Sequence, residues 1–237
     1  MRRTFADTLS VRQDTLSAIK DALYLLTVVS EAHPFAVSRD DRRTALARHL
    51  VPVVEELVES GTSYASLSVA RIIQARGISR SAFYKYFDDK ADLLVVMADD
   101  VIADLISTGA AWWALPEGGG KAELRAALSA PLGNYRERRM ILGAVVEAAT
   151  YDERVRAKQQ WLVSEVTTAL AAHIAAGQEA GNIHPDLDAG RTAKWLVWMF
   201  ERGLYQEVTP ASADEADLMM DAVTDLVWHA LYAGCSA

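Results

Sequence analysis

Residues 68–87 read Ser68-Val69-Ala70-Arg71-Ile72-Ile73-Gln74-Ala75-Arg76-Gly77-Ile78-Ser79-Arg80-Ser81-Ala82-Phe83-Tyr84-Lys85-Tyr86-Phe87. A serine that can cap a helix begins each half of this stretch, and Gly77 stands where the chain must reverse. Apolar residues at helical spacing precede the glycine, and Phe83 and Phe87 follow it, so each half has a face to bury. The order of these parts predicts a helix-turn-helix.

The second of these helices has a basic and aromatic outer face. Helical spacing turns Ala82, Phe83 and Phe87 inward and leaves the polar residues outside, with Tyr86 near the boundary. Residues 66–87 contain four basic and no acidic side chains, whereas residues 91–237 contain 11 basic and 21 acidic ones. Because an acidic body repels a duplex, one small basic patch favours specific docking onto DNA over non-specific adhesion.

The segment from Arg42 to Leu94 resembles the DNA-binding domain of TetR-type transcriptional regulators. The similarity follows Ser68, Gly77-Ile78-Ser79-Arg80, Phe83-Tyr84-Lys85-Tyr86-Phe87, Lys90 and Leu93-Leu94. The resemblance implies that Arg80, Ser81, Tyr84 and Tyr86 contact bases or sugar-phosphate, that Ser68 and Lys85 contact the DNA backbone, and that Lys90 contacts a phosphate. The full set of DNA-binding residues predicted in this way is Ser68, Ser79, Arg80, Ser81, Tyr84, Lys85, Tyr86 and Lys90.

Two features depart from the family's pattern. Ala82 replaces a hydroxyl residue that is frequent there, and Asp88-Asp89 stands where a proline and a small polar residue are usual. An aspartate at either position can cap the next helix and complement its dipole. The departures leave the operator sequence open.

The whole chain of 237 residues predicts an all-α protein. Alanine- and leucine-rich helical periodicity recurs throughout, and period-2 alternation and hairpin turns are nearly absent. The predicted helices lie near residues 8–31, 40–60, 66–75, 79–86, 90–113, 121–137, 139–150, 153–180, 187–207 and 213–233. Proline and glycine clusters mark the breaks between them.

Three segments are expected. Residues 1–38 form an N-terminal extension with an extra amphipathic helix, because Leu16, Ile19, Leu23 and Leu26 share one helical face and the segment has four basic and four acidic side chains. This helix packs on the body or on a partner subunit; a minor-groove arm is the alternative. Residues 39–90 form the three-helix DNA-binding domain with the helix-turn-helix, and residues 91–237 form a helical ligand-binding and dimerisation bundle.

All six tryptophans follow the DNA-binding segment. Trp195, Trp198 and Met199 fall on one helical stripe that can wall an apolar cavity, although such a stripe is usually core or subunit interface. The last two helices resemble the EthR-like branch of the family, which implies a tunnel for a small hydrophobic effector. The predicted ligand-binding residues are Trp112, Trp161, Trp195, Trp198, Met199, Phe200 and Trp228.

The last two helices are also expected to join two subunits. One short recognition helix reads too little DNA, so such modules act as two-fold pairs. The apolar residues that can form this homodimer interface are Leu196, Leu204, Met219, Val223, Leu226 and Ala230. By resemblance, the chain is a repressor that releases a double-stranded DNA operator when the effector binds.

Other classes have little support in the residues. The five histidines are scattered and none belongs to a zinc or hydrolase motif, so neither a catalytic residue, a metal nor a cofactor is predicted. At His184 and Asp186 a solvated turn with Asp186 as helix cap is expected rather than a metal site. No membrane span or export signal is recognisable, which predicts a cytoplasmic protein, and Cys235 is an incidental thiol.

Several alternatives stay open. The chain can be a helical ligand-binding or assembly protein whose helix-turn-helix no longer binds DNA, or an unrecognised all-α enzyme. Glu201-Arg202 can meet a ligand head group or can be a structural pair inside the bundle, which is the more frequent role of such residues. Glu147, in an apolar stretch, is a weaker case of the same choice.

Overall fold

The computed structural model describes residues 38–115, 119–208 and 210–234. Within these ranges the regular elements are all helical and no strand occurs, so the predicted all-α class is confirmed. The helices are α1 (Arg39–Glu59), α2 (Val69–Arg76), α3 (Arg80–Tyr84), α4 (Lys90–Trp113), α5 (Lys121–Glu137), α6 (Arg139–Ala148), α7 (Glu153–Glu179), α8 (Ala189–Gly203), a π-helical turn (Leu204–Val208) and α9 (Ala213–Leu231).

Some predictions fall outside these ranges. The predicted helix near residues 8–31, all of the extension except Ser38, and Cys235 are not among the described residues. The described part from Asp40 onward belongs to one compact unit. Among the described residues, no helix combines the length and apolar character that a bilayer span requires.

The helix boundaries follow local chemistry. Helices α4 and α5 begin and end at the predicted residues. Their first residues are determined by caps, since Asp89 caps α4 and the Glu123 carboxylate accepts the Gly120 N–H at the start of α5. Helix α3 is shorter than predicted, since the N–H groups of Tyr86 and Phe87 both donate to the Phe83 carbonyl and tighten the chain there. The α-helical geometry of α8 stops at Gly203 and widens into the π-helical turn.

The cap of α8 corrects a prediction. Asp188, rather than Asp186, caps this helix, and its Oδ1 accepts the Arg191 N–H at 2.8 Å. The helix accordingly starts at Ala189 and not at residue 187. The reason is that a cap must stand immediately before the first helical residue, and the turn after Pro185 delays that residue by two positions.

Two hydrophobic cores share α4. The first core joins α1, α2 and α3 to the N-terminal half of α4, to α6 and to the start of α7. The second core joins the last turn of α4, at Trp112, to α5, α7, α8 and α9. Packing therefore continues across the boundary predicted near residue 90, and α4, with 24 residues and a length of about 36 Å, connects the two cores.

Candidate nucleic-acid interface

The helix-turn-helix is built from two side-chain caps and one left-handed glycine. Ser68 Oγ accepts the Arg71 N–H at 3.2 Å at the start of α2. Gly77 ends that helix with φ of 66°, a conformation that costs glycine little because it has no Cβ. The chain then turns directly into Ser79, whose Oγ accepts the Ala82 N–H at 3.1 Å. These three residues fix the angle at which α3 follows α2.

Helix α3 is anchored from behind by two phenylalanines. Phe83 and Phe87 are 0% and 1% exposed, and their ring centroids lie 5.3 Å apart in the first core. Burial of two aromatic side chains contributes several kcal/mol, which holds a helix too short to be stable alone. The opposite face of α3 is thereby presented to solvent.

That solvent-facing surface carries most of the residues predicted to contact DNA. Arg80, Ser81, Tyr84 and Lys85 are exposed, with Tyr84 at 50%, and Tyr86 is half-buried as expected at the boundary. We call these five residues the recognition face. Lys85 Nζ lies 5.5 Å from the Tyr86 ring centre, so the two side chains support each other. Ser68 and Ser79 are also exposed, although their hydroxyls already serve as helix caps.

Lys90 has a structural role that the sequence did not indicate. Its ammonium group donates to the carbonyls of Tyr64, Ala65 and Leu67 at 2.9, 2.5 and 2.9 Å. Burial lowers the pKa of Lys90. The nearby negative charge of Glu147 acts in the opposite direction, but its effect is smaller. All three ammonium protons are thus engaged by backbone. The expected phosphate contact of Lys90 stays a prediction, and it requires the side chain to exchange at least one of these carbonyls.

The acidic pair at the start of α4 supports the fold. Asp89 is the N-cap, accepting the Asp92 N–H at 2.9 Å, which confirms that an aspartate of this pair caps the helix. Burial opposes ionisation of Asp89, but the hydrogen bond from Asp92 N–H and the Arg154 guanidinium at 2.8 Å together lower its pKa. Because Arg154 also pairs with Asp152, the cap of α7, one arginine ties the first turns of α4 and α7 together.

The predicted ligand-binding residues separate into two groups. Trp112, Phe200 and Trp228 come together in an aromatic cluster of the second core, joined by Trp113, His173 and Tyr232. Tyr232 Oη accepts the Trp112 Nε1–H at 2.9 Å and lies 2.8 Å from His173 Nε2. Burial lowers the pKa of His173 to about 4 and raises that of Tyr232 to about 12, so the cluster is neutral at pH 7.

The stripe of Trp195, Trp198 and Met199 does not wall an internal cavity. It faces outward, with Trp195 78% exposed, and this corrects the prediction that the three residues line a ligand site inside the bundle. The physical reason is that Ala193, Leu196 and Val197 occupy the inward side of α8. Trp161 on α7 is exposed as well, with Lys158 Nζ 4.5 Å from its ring centre.

The predicted subunit interface is partly on the surface. Leu226 and Ala230 of α9 are exposed, while Met219, Val223 and Leu204 are half-buried against the second core. Leu196 was expected at the interface, but it lies on the inward side of α8 and is buried in the second core of its own chain. The apolar side chains exposed on α8 and α9, which we call the α8–α9 face, are Trp195, Trp198, Met199, Leu218 and Leu226.

Polar residues inside the bundle are only partly matched. Glu201 Oε1 accepts a hydrogen bond from Gln159 at 2.9 Å, whereas Oε2 is buried without a hydrogen bond and lies 3.6 Å from Arg202 Nε. Arg202 is exposed and Glu201 is half-buried, so only the glutamate of this pair reaches into the bundle. Among the described residues, no group of three or more histidine, cysteine or acidic side chains is arranged to hold a metal ion.

Comparison with known proteins identifies the helix-turn-helix. Residues 60–97 match the family model described as bacterial regulatory proteins, tetR family. No curated protein sequence matches the chain significantly. The matched residues include both capping serines, Gly77 and the whole recognition face.

Solved structures share the fold over most of the chain. A TetR transcription regulator from Haloarcula marismortui superposes with a TM-score of 0.63 at 22% identity, over 80% of this chain and 98% of its own. The TetR family transcriptional regulator PfmR from Thermus thermophilus superposes with a TM-score of 0.62 at 20% identity, over 76% of this chain and 96% of its own. At these identities the likeness shows the fold.

Proposed function

We propose that this chain is a TetR-family transcriptional regulator and that it recognises one operator sequence in double-stranded DNA through Arg80, Ser81 and Tyr84. The observation that carries the proposal is the recognition face, which is exposed, polar and basic on a helix held from behind by buried phenylalanines. Arginine, serine and tyrosine can each donate hydrogen bonds to base edges or phosphates in the major groove. The other proposed contacts are those of Ser68, Ser79, Lys85, Tyr86 and Lys90.

We also propose that two copies bind together. The five residues of α3 contact too few base pairs for a specific site, and a two-fold pair doubles the sequence that is read. The α8–α9 face supports this arrangement because two tryptophans, a methionine and two leucines are costly to leave in water and are typical of subunit interfaces. In this arrangement a second subunit covers the exposed side chains of Trp195, Trp198 and Met199 on α8.

The proposed effector is a small hydrophobic molecule that binds at the aromatic cluster. Trp112, Phe200 and Trp228 offer apolar surface there, and Tyr232 and His173 offer hydrogen-bonding groups. The cluster includes Trp112 in the last turn of α4, and the first turn of α4 meets the helix-turn-helix. If the effector prefers a state in which the two recognition helices are wrongly spaced, it releases the operator, and the protein is a repressor.

The location follows from the partner. A bacterial regulator that binds chromosomal DNA acts in the cytoplasm, and we propose that location here. No cofactor is required by this function.

Selection of bound duplexes from random DNA tests the proposal. Wild-type protein should enrich one sequence with two inverted half-sites about 34 Å apart. Tyr84→Ala should lose the enrichment, whereas Tyr151→Ala, which alters an equally exposed tyrosine outside the recognition face, should retain it. Failure of the wild-type protein to enrich any sequence would contradict the proposed function and favour the alternative of a helical protein that does not bind DNA.

A further inference from the structure

A loop before the helix-turn-helix is held by the helical body through a carboxylate. We call residues 63–67, which lie between α1 and α2, the entry loop. The Glu147 carboxylate of α6 accepts two backbone hydrogen bonds from this loop: Oε2 from the Tyr64 N–H and Oε1 from the Ala65 N–H, each at 3.0 Å. Both oxygens are used at once, so the carboxylate fixes the loop in position and in orientation.

The entry loop lies between two opposite charges. Its N–H groups point to the Glu147 carboxylate, while three of its carbonyls accept hydrogen bonds from the Lys90 ammonium at the start of α4. The peptide dipoles are therefore aligned favourably with both charges. Tyr64 adds a further connection, since its side chain is buried in the first core and its Oη donates to the Lys90 carbonyl at 2.6 Å.

The position of Glu147 makes it a connection between two parts of the molecule. It lies in the last turn of α6, whose side chains Ile141, Val145 and Ala148 are buried in the first core. Apolar packing of this kind lets helices slide by small amounts, because dispersion contacts have little directional preference. Two charge-assisted hydrogen bonds do have direction, so a movement of α6 must either carry the entry loop with it or break them.

We propose that Glu147 is a positioning residue that transmits movements of the helical body to the recognition helix through the entry loop. The inference rests on the proposed DNA-binding function and adds a regulatory element to it. The entry loop continues into Ser68, the cap of α2, and α2 is joined to α3 by a tight turn at Gly77. Displacement of the loop therefore changes the angle of α3 without unfolding either helix.

Glu147→Gln tests this role. Glutamine keeps the size of the side chain but removes the charge and one of the two acceptor oxygens, so one loop N–H faces an amide N–H instead of a carboxylate oxygen. The matched control is Glu137→Gln, which changes an exposed glutamate at the end of α5. Affinity is measured for a duplex selected by the wild-type protein and for a shuffled duplex, together with amide hydrogen exchange at Tyr64 and Ala65.

Glu147→Gln should weaken binding to the selected duplex by about tenfold, with little change on the shuffled duplex, and should speed exchange of the two amides. The control variant should match the wild type in all three measurements. Equal behaviour of the two variants would overturn the inference, and so would equal losses on both duplexes, which indicate a merely structural role. Absence of any selected duplex for the wild type would contradict the proposed function itself.

The wild-type protein decides the question if Glu147→Gln proves unfolded by circular dichroism. On addition of the selected duplex, the amides of Tyr64, Ala65 and α6 should gain protection from exchange together, because the carboxylate couples them. A gain in protection that is confined to α2 and α3 would contradict the inference.

Discussion

In the described part of the chain, the recognition face and the α8–α9 face are both exposed but differ in chemistry. The recognition face presents two basic side chains, a serine and two tyrosines around a five-residue helix. The α8–α9 face presents tryptophan, methionine and leucine side chains. Charged donors on a small convex helix suit a phosphate-lined groove, whereas exposed aromatic and aliphatic side chains suit another protein surface. Both surfaces are exposed, so the two proposed partners are distinguished by side-chain chemistry and not by exposure.

The two surfaces are also supported differently. The recognition face depends on local features, namely two serine caps, one left-handed glycine and two buried phenylalanines within 20 residues. The α8–α9 face depends on helices whose inward sides pack against distant parts of the chain, such as α5 and α7. Disruption of one surface should therefore leave the other intact, and the prediction for Arg80 and Tyr84 below tests this independence.

The largest effect is expected for Trp195→Asp. A charge at the most exposed tryptophan of the α8–α9 face should weaken self-association by about 3 kcal/mol, because it leaves a carboxylate without water or a partner in the interface. Sedimentation velocity at micromolar concentration measures the effect. Trp161→Asp, at an exposed tryptophan of α7, is the matched control and should remain dimeric. A wild-type protein that is monomeric at this concentration would refute the proposed interface.

The next effect concerns the recognition face. Arg80→Ala or Tyr84→Ala should each reduce the free energy of binding to a selected duplex by about 1 to 3 kcal/mol, with a small effect on random duplexes. Both variants should retain the wild-type oligomeric state, since their side chains are exposed and far along the chain from α8 and α9. A fluorescence titration at fixed salt concentration gives the affinities. The assigned roles fail if Tyr151→Ala causes an equal loss.

Acid stability should report on the aromatic cluster. The pKa of His173 is lowered by burial to about 4 in the folded chain, against about 6.5 when unfolded, so the unfolded state binds more protons between these values. The contribution of His173 to the free energy of unfolding is fully present above pH 6.5. It decreases as the pH falls toward 4, by about 2 kcal/mol between pH 7 and pH 5.

His173→Gln should reduce this pH dependence. Urea unfolding at pH 7 and pH 5 compares the variant with the wild type and with His229→Gln, which alters an exposed histidine of α9. The same pH dependence in all three proteins would contradict the buried, neutral state of His173.

The smallest effects are expected at two glycines of opposite character. Gly77→Ala should destabilise the protein by about 1 kcal/mol, because φ of 66° strains any residue with a Cβ. Gly133→Ala, inside α5 with open space around the new methyl group, should stabilise it by about 0.5 to 1 kcal/mol. Thermal unfolding measures both. Stabilisation by Gly77→Ala would contradict a left-handed turn at Gly77.

The sequence predicted the parts that local chemistry determines. A few neighbouring residues are enough to predict the caps Ser68, Ser79 and Asp89 and the turn at Gly77. The helices around them occur close to where they were expected. The inward and outward sides of α3 followed from the sequence, because its polar and apolar residues fall on opposite sides of a helix. The misplaced cap of α8 shows the limit, since two aspartates two positions apart compete for one role.

Other features depend on contacts between distant segments. Helical spacing placed Trp195, Trp198 and Met199 on one face, but spacing cannot tell which way a face points when both sides of a helix are apolar. The hydrogen bonds from Tyr64 and Ala65 to Glu147 join residues more than 80 positions apart. A charged residue in an apolar stretch was the only sign of this contact, and its partner is two backbone N–H groups that no sequence pattern reveals.

The central claim is that the recognition face reads DNA sequence as one half of a two-fold pair. Methylation interference on the duplex selected by the wild-type protein tests it most directly. We predict two interfering segments in successive major grooves, with centres about 34 Å apart and related by an inverted repeat. A selected duplex that shows only one such segment, or binding that is equal for the selected and the shuffled duplex, would contradict the claim.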